Sequence, residues 1–262
     1  MSYTDFQIWR QTPAPTVELS IVIPTYNESE RILPTLGAIA VAVAGMGISW
    51  ELIVSDDGSR DGTADLVEHL GWENLRVIRH QNTGKGGAVW RGVTAARAPR
   101  VLFADADNST PIEELPRLLA KLDAGFDVAV GSRAAAGASV ENKNMLRKLL
   151  SSGLQLSTRV LSGVTVQDTQ CGFKLFGARA VKELFSRQQM QGFSFDLELL
   201  YLAHKLGLSV VEVPVRWFDA PGSKVSSVRD SARFLRDIFA VRRLDQRGAY
   251  NRDAASVYTR EA

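Results

Sequence analysis

Val101-Leu102-Phe103-Ala104-Asp105-Ala106-Asp107 is an apolar run of four residues followed at once by two acids that flank an alanine. The run has the length of a buried strand and is too short for a helix. Residues i and i+2 of an extended chain project to the same side, so both carboxylates are expected to face one point just beyond the sheet. Alone they repel, and one would keep its proton. A divalent cation resolves this: Mg²⁺ or Mn²⁺ takes one or two carboxylates, with diphosphate oxygens and water completing the shell. Two solvated loop acids are the plain alternative. Ligand-binding acids at a strand end fit an open α/β sheet, where ligands sit at the carboxyl ends of strands.

The flanking segments fit such a sheet. Leu19–Ile23, Glu51–Ser55, Leu75–Ile78 and Val128–Val130 read as further strands, alternating with helices over Arg31–Ala44, Thr63–Leu70, Gly87–Ala96 and Ile112–Leu122. This alternation predicts βαβ units and a mainly parallel sheet. After Arg133 the pattern changes. Asn142–Leu161, Ser194–Leu206 and Ser226–Arg243 have helical spacing, Asp168–Gly177 is glycine-rich, and Val210–Val215 is a strand whose Pro214 suits a sheet edge. The expectation is one compact α/β domain over 18–245, a Rossmann-like sheet flanked by helices. Residues 18–133 form its nucleotide-binding half and 134–245 its acceptor half. Residues 1–17 and 246–262 are expected to be arms.

Composition narrows the class. Hydrophobic residues make up 45% and charged residues 23%, as in ordinary globular proteins. A net charge of +2 gives no bulk attraction to nucleic acid. No basic stripe or aromatic RNA motif appears either, so nucleic acid is not an expected partner. The lone Cys171 precludes an intramolecular disulfide and fits a reducing cytoplasm. Asp5, Gln7 and Arg10 interrupt any signal-peptide core. The most apolar stretch, Leu36–Trp50, has 15 residues including three glycines, below the roughly 20 of a spanning helix. The expected location is cytoplasmic, extending to peripheral contact with a membrane. In the last predicted helix, Phe234, Leu235, Ile238 and Phe239 share a face, and Arg229, Arg233, Arg236, Arg242 and Arg243 add positive charge. That suits an anionic membrane surface; packing on the core with a solvated basic face is the commoner arrangement.

Three more segments carry polar chemistry at strand ends. Pro24-Thr25-Tyr26-Asn27-Glu28 offers a backbone edge and an aromatic face for a planar base, or is a plain strand-to-helix turn. Asp56-Asp57 precedes Gly58 and Gly62. Paired carboxylates there suit a ligand with N–H or hydroxyl donors, such as a base imide or ribose. A turn with helix caps from Asp61 and Thr63 is the alternative. Asn82-Thr83-Gly84-Lys85-Gly86-Gly87 fails the P-loop pattern, because Gly86 follows the lysine and Arg79 stands at the first glycine position. Its helix entry still offers backbone N–H groups and Lys85 to an anion.

Together, Pro24–Glu28, Asp56-Asp57, Asp105–Asp107 and Gly131-Ser132-Arg133 resemble the inverting GT-A glycosyltransferases of family 2. Asp168-Thr169-Gln170-Cys171-Gly172-Phe173-Lys174-Leu175-Phe176, Phe195–Leu200 and Gly222-Ser223-Lys224-Val225 are similar to the polyprenyl-phosphate sugar synthases, most of all to the dolichyl-phosphate β-glucosyltransferase type. The resemblance covers about residues 18–240. It implies that Asp57 contacts the base, with Pro24, Tyr26, Glu28 and Lys85 also on the nucleotide side. It implies that Asp107 coordinates Mg²⁺ or Mn²⁺ with Asp105 nearby, and that Arg133, Arg147, Ser151 and Lys224 surround the acceptor phosphate or donor diphosphate.

There are departures. Ser109 stands where related phosphomannose synthases often carry a metal-binding glutamine, and Asp219-Ala220-Pro221 replaces an arginine before the Gly222–Lys224 segment. Both favour UDP-glucose over GDP-mannose as donor. Dolichol-glucose relatives usually carry an N-terminal membrane helix, which residues 1–17 do not resemble.

The expected reaction is a single inverting displacement at the anomeric carbon, with Asp107 and its metal stabilising the departing diphosphate. A polyprenyl phosphate acceptor is already anionic and needs only cations to position it, a task for Arg133, Arg147 and Lys224. Arg133 and Arg147 as plain surface charges are the bland alternative. A hydroxyl acceptor needs a carboxylate base, with Asp196 before Glu198. A catalytically silent nucleotide-binding module is a third reading, set against the presence of both Asp105 and Asp107. A Rossmann oxidoreductase lacks its G-x-G-x-x-G after the first strand.

Overall fold

The computed structural model describes residues 16–140, 165–218 and 227–251, without the side chains of 227–235. The helix expected over Asn142–Leu161, with Arg147 and Ser151, lies outside the described residues, as does Lys224.

The strands are β1 (Leu19–Thr25), β2 (Trp50–Asp56), β3 (Leu75–Arg79), β4 (Arg100–Ala104), β5 (Val128–Ser132), β6 (Ser139–Val140), β7 (Phe173–Phe176), β8 (Val210–Pro214) and β9 (Arg216–Trp217). The helices are α1 (Ile32–Ala44), α2 (Thr63–Glu68), α3 (Lys85–Thr94), α4 (Leu115–Asp123), α5 (Ala178–Phe185), α6 (Phe195–Lys205) and α7 (Ser227–Gln246), and a 3-10 turn covers Ile112–Glu114. Seven strands form one sheet in the order β3-β2-β1-β4-β7-β5-β8, and β6 pairs with β9 apart from it.

Both faces of the sheet are covered, which is why its strands read as unbroken apolar runs. Leu19, Ile21 and Ile23 of β1, Leu52 and Val54 of β2, and Leu102 and Ala104 of β4 pack on one face with Ile32, Leu36 and Leu118. Val22, Ile53, Val101 and Phe103, the alternate positions, pack on the other with Val89, Leu184, Leu199 and Val241. Every expected strand is present, and β8 with Pro214 is an edge strand as its proline implied.

The glycine-rich stretch before α6 holds β7, which runs antiparallel to both β4 and β5. A strand from the later part of the chain therefore lies between two strands of the earlier part. At the C-terminus, the arm expected from 246 begins too early: the Tyr250 side chain is buried, and its hydroxyl donates to Glu198 Oε1 at 2.8 Å. Among the described residues, no helix is long and apolar enough to cross a membrane.

Candidate active site

At the carboxyl ends of β1 and β2 the acids are held by the backbone. Asp56 Oδ1 accepts from Thr25 Oγ1 (3.2 Å), and its Oδ2 accepts from the Ser59 amide (3.0 Å). Asp57 Oδ1 accepts from the Thr83 amide and Oδ2 from the Gly84 amide, both at 2.8 Å, and His80 Nδ1 lies 3.3 Å from Oδ1. Asn27, at φ 55°, accepts from the Arg60 amide through its side-chain oxygen, and its own amide donates to Ser59 Oγ. Glu28 pairs with Arg31 at 2.6 Å. These bonds tie the loops after β1 and β2 together. Beside them opens a cleft of about 570 Å³ lined by Tyr26, Gly58, Arg60, Arg79, His80, Gln81 and Asn82. Its volume suits a small ligand. Pro24 lies within β1 opposite Ser55 of β2, and half-exposed Tyr26 reaches the cleft.

The glycines of 84–87 serve close packing. Gly84 has φ +100°, and a Cβ there would stand 2.7 Å from the Gln191 carbonyl oxygen; one on Gly86 would stand 2.6 Å from Phe195 Cβ. The amides of Thr83 and Gly84 are bound to Asp57, and that of Gly87 donates to the Gln191 oxygen at 3.0 Å. The amides of Thr83, Gly84 and Gly87 are therefore already satisfied within the protein. Lys85 remains as the cation at the α3 entry.

A second group gathers where β4 and β5 end and the antiparallel β7 begins. Lys85 Nζ pairs with Asp105 Oδ1 at 2.7 Å and lies 5.3 Å from the Phe103 ring centroid. Burial works against its charge, but Asp105, Asp196 and Asp107 outweigh it and hold its pKa above the usual lysine value. Gly172 is packed so tightly on the Asp105 carboxylate that any Cβ would collide with it. Lys174, on β7 between Phe173 and Leu175, turns to the α6 face. There it donates to Asp196 Oδ1 and to the Cys171 carbonyl, each at 2.6 Å. Burial raises the Asp196 pKa, and Lys174 and Lys85 pull it back. Arg133 forks onto Asp168 through Nε (2.7 Å) and Nη2 (2.8 Å), and its guanidinium carbon lies 5.5 Å from the Trp217 ring. Burial opposes both charges, yet their attraction leaves Arg133 above and Asp168 below its ordinary pKa.

Asp107 differs from its neighbours. Ala106 is buried while Asp105 and Asp107 on either side are partly exposed, as the i, i+2 alternation predicts. The chain then turns at Asn108 (φ 52°), and Asp107 Oδ1 accepts from the Ser109 amide at 3.0 Å. Asp105, Asp168 and Asp196 each have a cationic partner. Asp107, among the described residues, has none.

No group of three or more acidic, histidine or cysteine side chains able to hold a metal occurs among the described residues. A divalent cation fits instead in the manner of diphosphate-bound Mg²⁺ or Mn²⁺, on one or two carboxylates with the ligand and water completing the shell. Asp107, partly exposed and in no ion pair among the described residues, is suited to that, with Asp105 beside it.

Two of the expected acids are buried and already partnered. Glu198 is fully buried, and its carboxylate accepts from the amides of Gln189 and Met190 and from the Tyr250 hydroxyl. Asp196 is 3% exposed and joined to Lys174. Cys171 is buried, which pushes its thiol up to about 12, so it is no nucleophile. Asp168 and Lys174 stood in a quoted motif without a role of their own, and His80 and Trp217 were not singled out in the sequence. A lysine inside Phe-Lys-Leu-Phe was the one available signal, since a buried strand tolerates such a charge only when it is paired.

A mainly parallel sheet with its polar groups at the carboxyl ends of the central strands is the arrangement of GT-A nucleotide-sugar transferases, and solved structures agree. Mannosyl-3-phosphoglycerate synthase from Rubrobacter xylanophilus superposes with a TM-score of 0.65 at 20% identity, covering 88% of this chain and 75% of that one. Glucosyl-3-phosphoglycerate synthase from Mycobacterium tuberculosis, in complex with Mn²⁺, uridine diphosphate and glucosyl-3-phosphoglycerate, gives 0.64 at 22%, covering 88% and 80%. The family model for Glycosyl transferase family 2 matches residues 20–185, and the chain belongs to that family. It is 33% identical to the dolichyl-phosphate beta-glucosyltransferase of Dictyostelium discoideum over 88% of this chain and 76% of the relative. It is 34% identical to that of Saccharomyces cerevisiae, with the same coverage of each.

Proposed function

We propose that this glycosyltransferase moves glucose from UDP-glucose to a polyprenyl phosphate, with inversion and with a divalent metal. The observation that carries the acceptor is the state of Asp196. A hydroxyl acceptor needs an accessible base, and Asp196 is buried against Lys174. A phosphate acceptor needs no base, only cations, and Lys85 and Arg133 stand at the strand ends. The two dolichyl-phosphate beta-glucosyltransferases named above support the sugar and the lipid class. GDP-mannose is the alternative donor.

In this reading the cleft beside Tyr26 and His80 takes the base, and Asp57 acts there together with the loop amides that it fastens. Pro24 and Glu28 shape the cleft through the β1 turn. Lys85 exchanges Asp105 for an oxygen of the donor diphosphate. Arg133, held by the Asp168 fork beside Trp217, presents its remaining N–H donors to a phosphate. Arg147, Ser151 and Lys224 complete the acceptor site by their resemblance to family positions. When bound at Asp107, with Asp105 near, Mg²⁺ or Mn²⁺ supplies positive charge to the departing diphosphate.

Peripheral membrane contact belongs to the same proposal. On α7, Ile238 and Val241 are buried. The acids also turn inward: Asp237 accepts from Ser194 Oγ (2.6 Å), and Asp245 accepts from Tyr201 Oη (2.6 Å) and Lys205. Phe239 is left 58% exposed among exposed Arg236, Arg242 and Arg243, a face suited to anionic lipid.

The test is transfer of radiolabelled glucose. Label is expected in the organic phase with a short polyprenyl phosphate; label only on water-soluble saccharides refutes the acceptor proposal. Sedimentation with anionic vesicles, abolished by Phe239→Glu, tests the membrane face, and equal binding to neutral vesicles would count against it.

A further inference from the structure

The loop 188–192 joins the buried carboxylate of Glu198 to the entry of α3. Glu198 Oε2 accepts from the Met190 amide at 2.8 Å, and both of its oxygens lie within 3.1 Å of the Gln189 amide. From the other side, Tyr250 Oη donates to Oε1 at 2.8 Å. The loop so fixed grips the segment that carries Lys85. Gln188 Nε2 donates to the Gly86 carbonyl at 2.9 Å, and the Gly87 amide donates to the Gln191 carbonyl at 3.0 Å. The contacts of Gly84 with Gln191, and of Gly86 with Met190 and Phe195, leave no room for a methyl group, so the fit has little slack. Lys85 is the first residue of α3 and reaches Asp105 from that position.

We infer that Glu198 is a positioning residue for Lys85, acting through loop 188–192, and that Tyr250 holds Glu198 in place. The carboxylate is too deeply buried to meet substrate. What it fixes is the distance from the α3 entry to the end of β4, and hence where the Lys85 ammonium stands. One carboxylate accepting two consecutive amides sets that loop rigidly, and a one-ångström drift of a charged group can cost a hundredfold in rate. The inference rests on the proposed role of Lys85 at the donor diphosphate.

A double-mutant cycle on the full-length chain tests it, read as kcat and donor KM for transfer to a short polyprenyl phosphate. Glu198→Gln keeps the shape and removes the charge. It is expected to lower kcat about tenfold, the scale of a coupled pair, with donor KM changed less than twofold. In the Lys85→Ala background the same substitution should cost less than twofold, because the group it positions is gone. Equal losses in both backgrounds would overturn the inference. Tyr250→Phe removes one hydrogen bond and no charge, and carries the same cycle if Glu198→Gln fails to fold. A Lys85→Ala chain with full kcat would instead sink the donor-site role of Lys85, an outcome distinct from additivity in the cycle.

Discussion

Asp56 and Asp57 at the end of β2 bind amides and a hydroxyl, whereas Asp105, Asp168 and Asp196, gathered where β4 ends and β7 begins, face ammonium and guanidinium groups. Asp56 and Asp57 are each 3% exposed and fasten the loops at Ser59, Thr83 and Gly84. Asp105, 32% exposed at its side chain, is paired with a lysine that is itself 22% exposed. A backbone amide cannot leave when a ligand arrives, but a partly exposed lysine can change partners. In the proposed reading the first set therefore builds the cleft, and the second exchanges phosphate and metal. Asp107, with one amide and no cation among the described residues, belongs functionally to the second set.

Within the second set, burial separates working pairs from structural ones, and this is where the largest stability effect is expected. Lys174 and Asp196 are 1% and 4% exposed at their side chains. Removing one partner of such a pair costs about 3–5 kcal/mol, so Asp196→Asn should lower the melting temperature sharply. Asp196 would then affect activity through the fold, and the substitution is a poor assay for a base. A melting curve like that of the unmodified chain would break the distinction.

Asp57→Asn comes next. One of its two charge-assisted contacts with the amides just before α3 is lost, a bond of a kind worth about 1.5–3 kcal/mol. Calorimetry with UDP should show weaker binding, because the cleft wall at His80 and Asn82 moves with those amides. Unchanged affinity would make Asp57 a turn residue only.

The smallest effect concerns pH. Asp168 has its pKa lowered by Arg133, so the stability it adds is fully present above the unfolded carboxylate value, about 3.9, and is lost as pH falls through the lower folded value. Thermal melts below pH 4 should fall faster for the unmodified chain than for Asp168→Asn, which has already lost that contribution. Parallel curves would mean that the fork stabilises nothing.

The sheet was legible because two-sided burial writes parallel strands as continuous apolar runs, and acids stand out where such runs stop. Asp105 and Asp107 could be read that way. The antiparallel β7 could not: it has four residues, glycines on both flanks and a lysine in the middle, and what makes it a strand is pairing with β4 and β5, both distant in sequence. The glycines of 84–87 suggested phosphate binding because tight packing and close ligand approach ask for the same residue. Lys174–Asp196 and Arg133–Asp168 join residues 22 and 35 positions apart, with no periodicity to link them. Tyr250 looked like tail because one buried aromatic after a helix leaves no pattern.

The most direct measurement sets Asp107→Asn beside Asp57→Asn in the same glucose-transfer assay with Mn²⁺ and a short polyprenyl phosphate, each with a melting curve. Asp107→Asn is expected to lose roughly 10²–10³-fold in kcat, the size of effect seen when one charge-stabilising group is removed, while melting like the unmodified chain. Asp57→Asn should melt earlier, with kcat within a few-fold at saturating donor. Full turnover by Asp107→Asn, or by the unmodified chain in excess chelator, would contradict the assignment of the exchangeable acids to the end of β4.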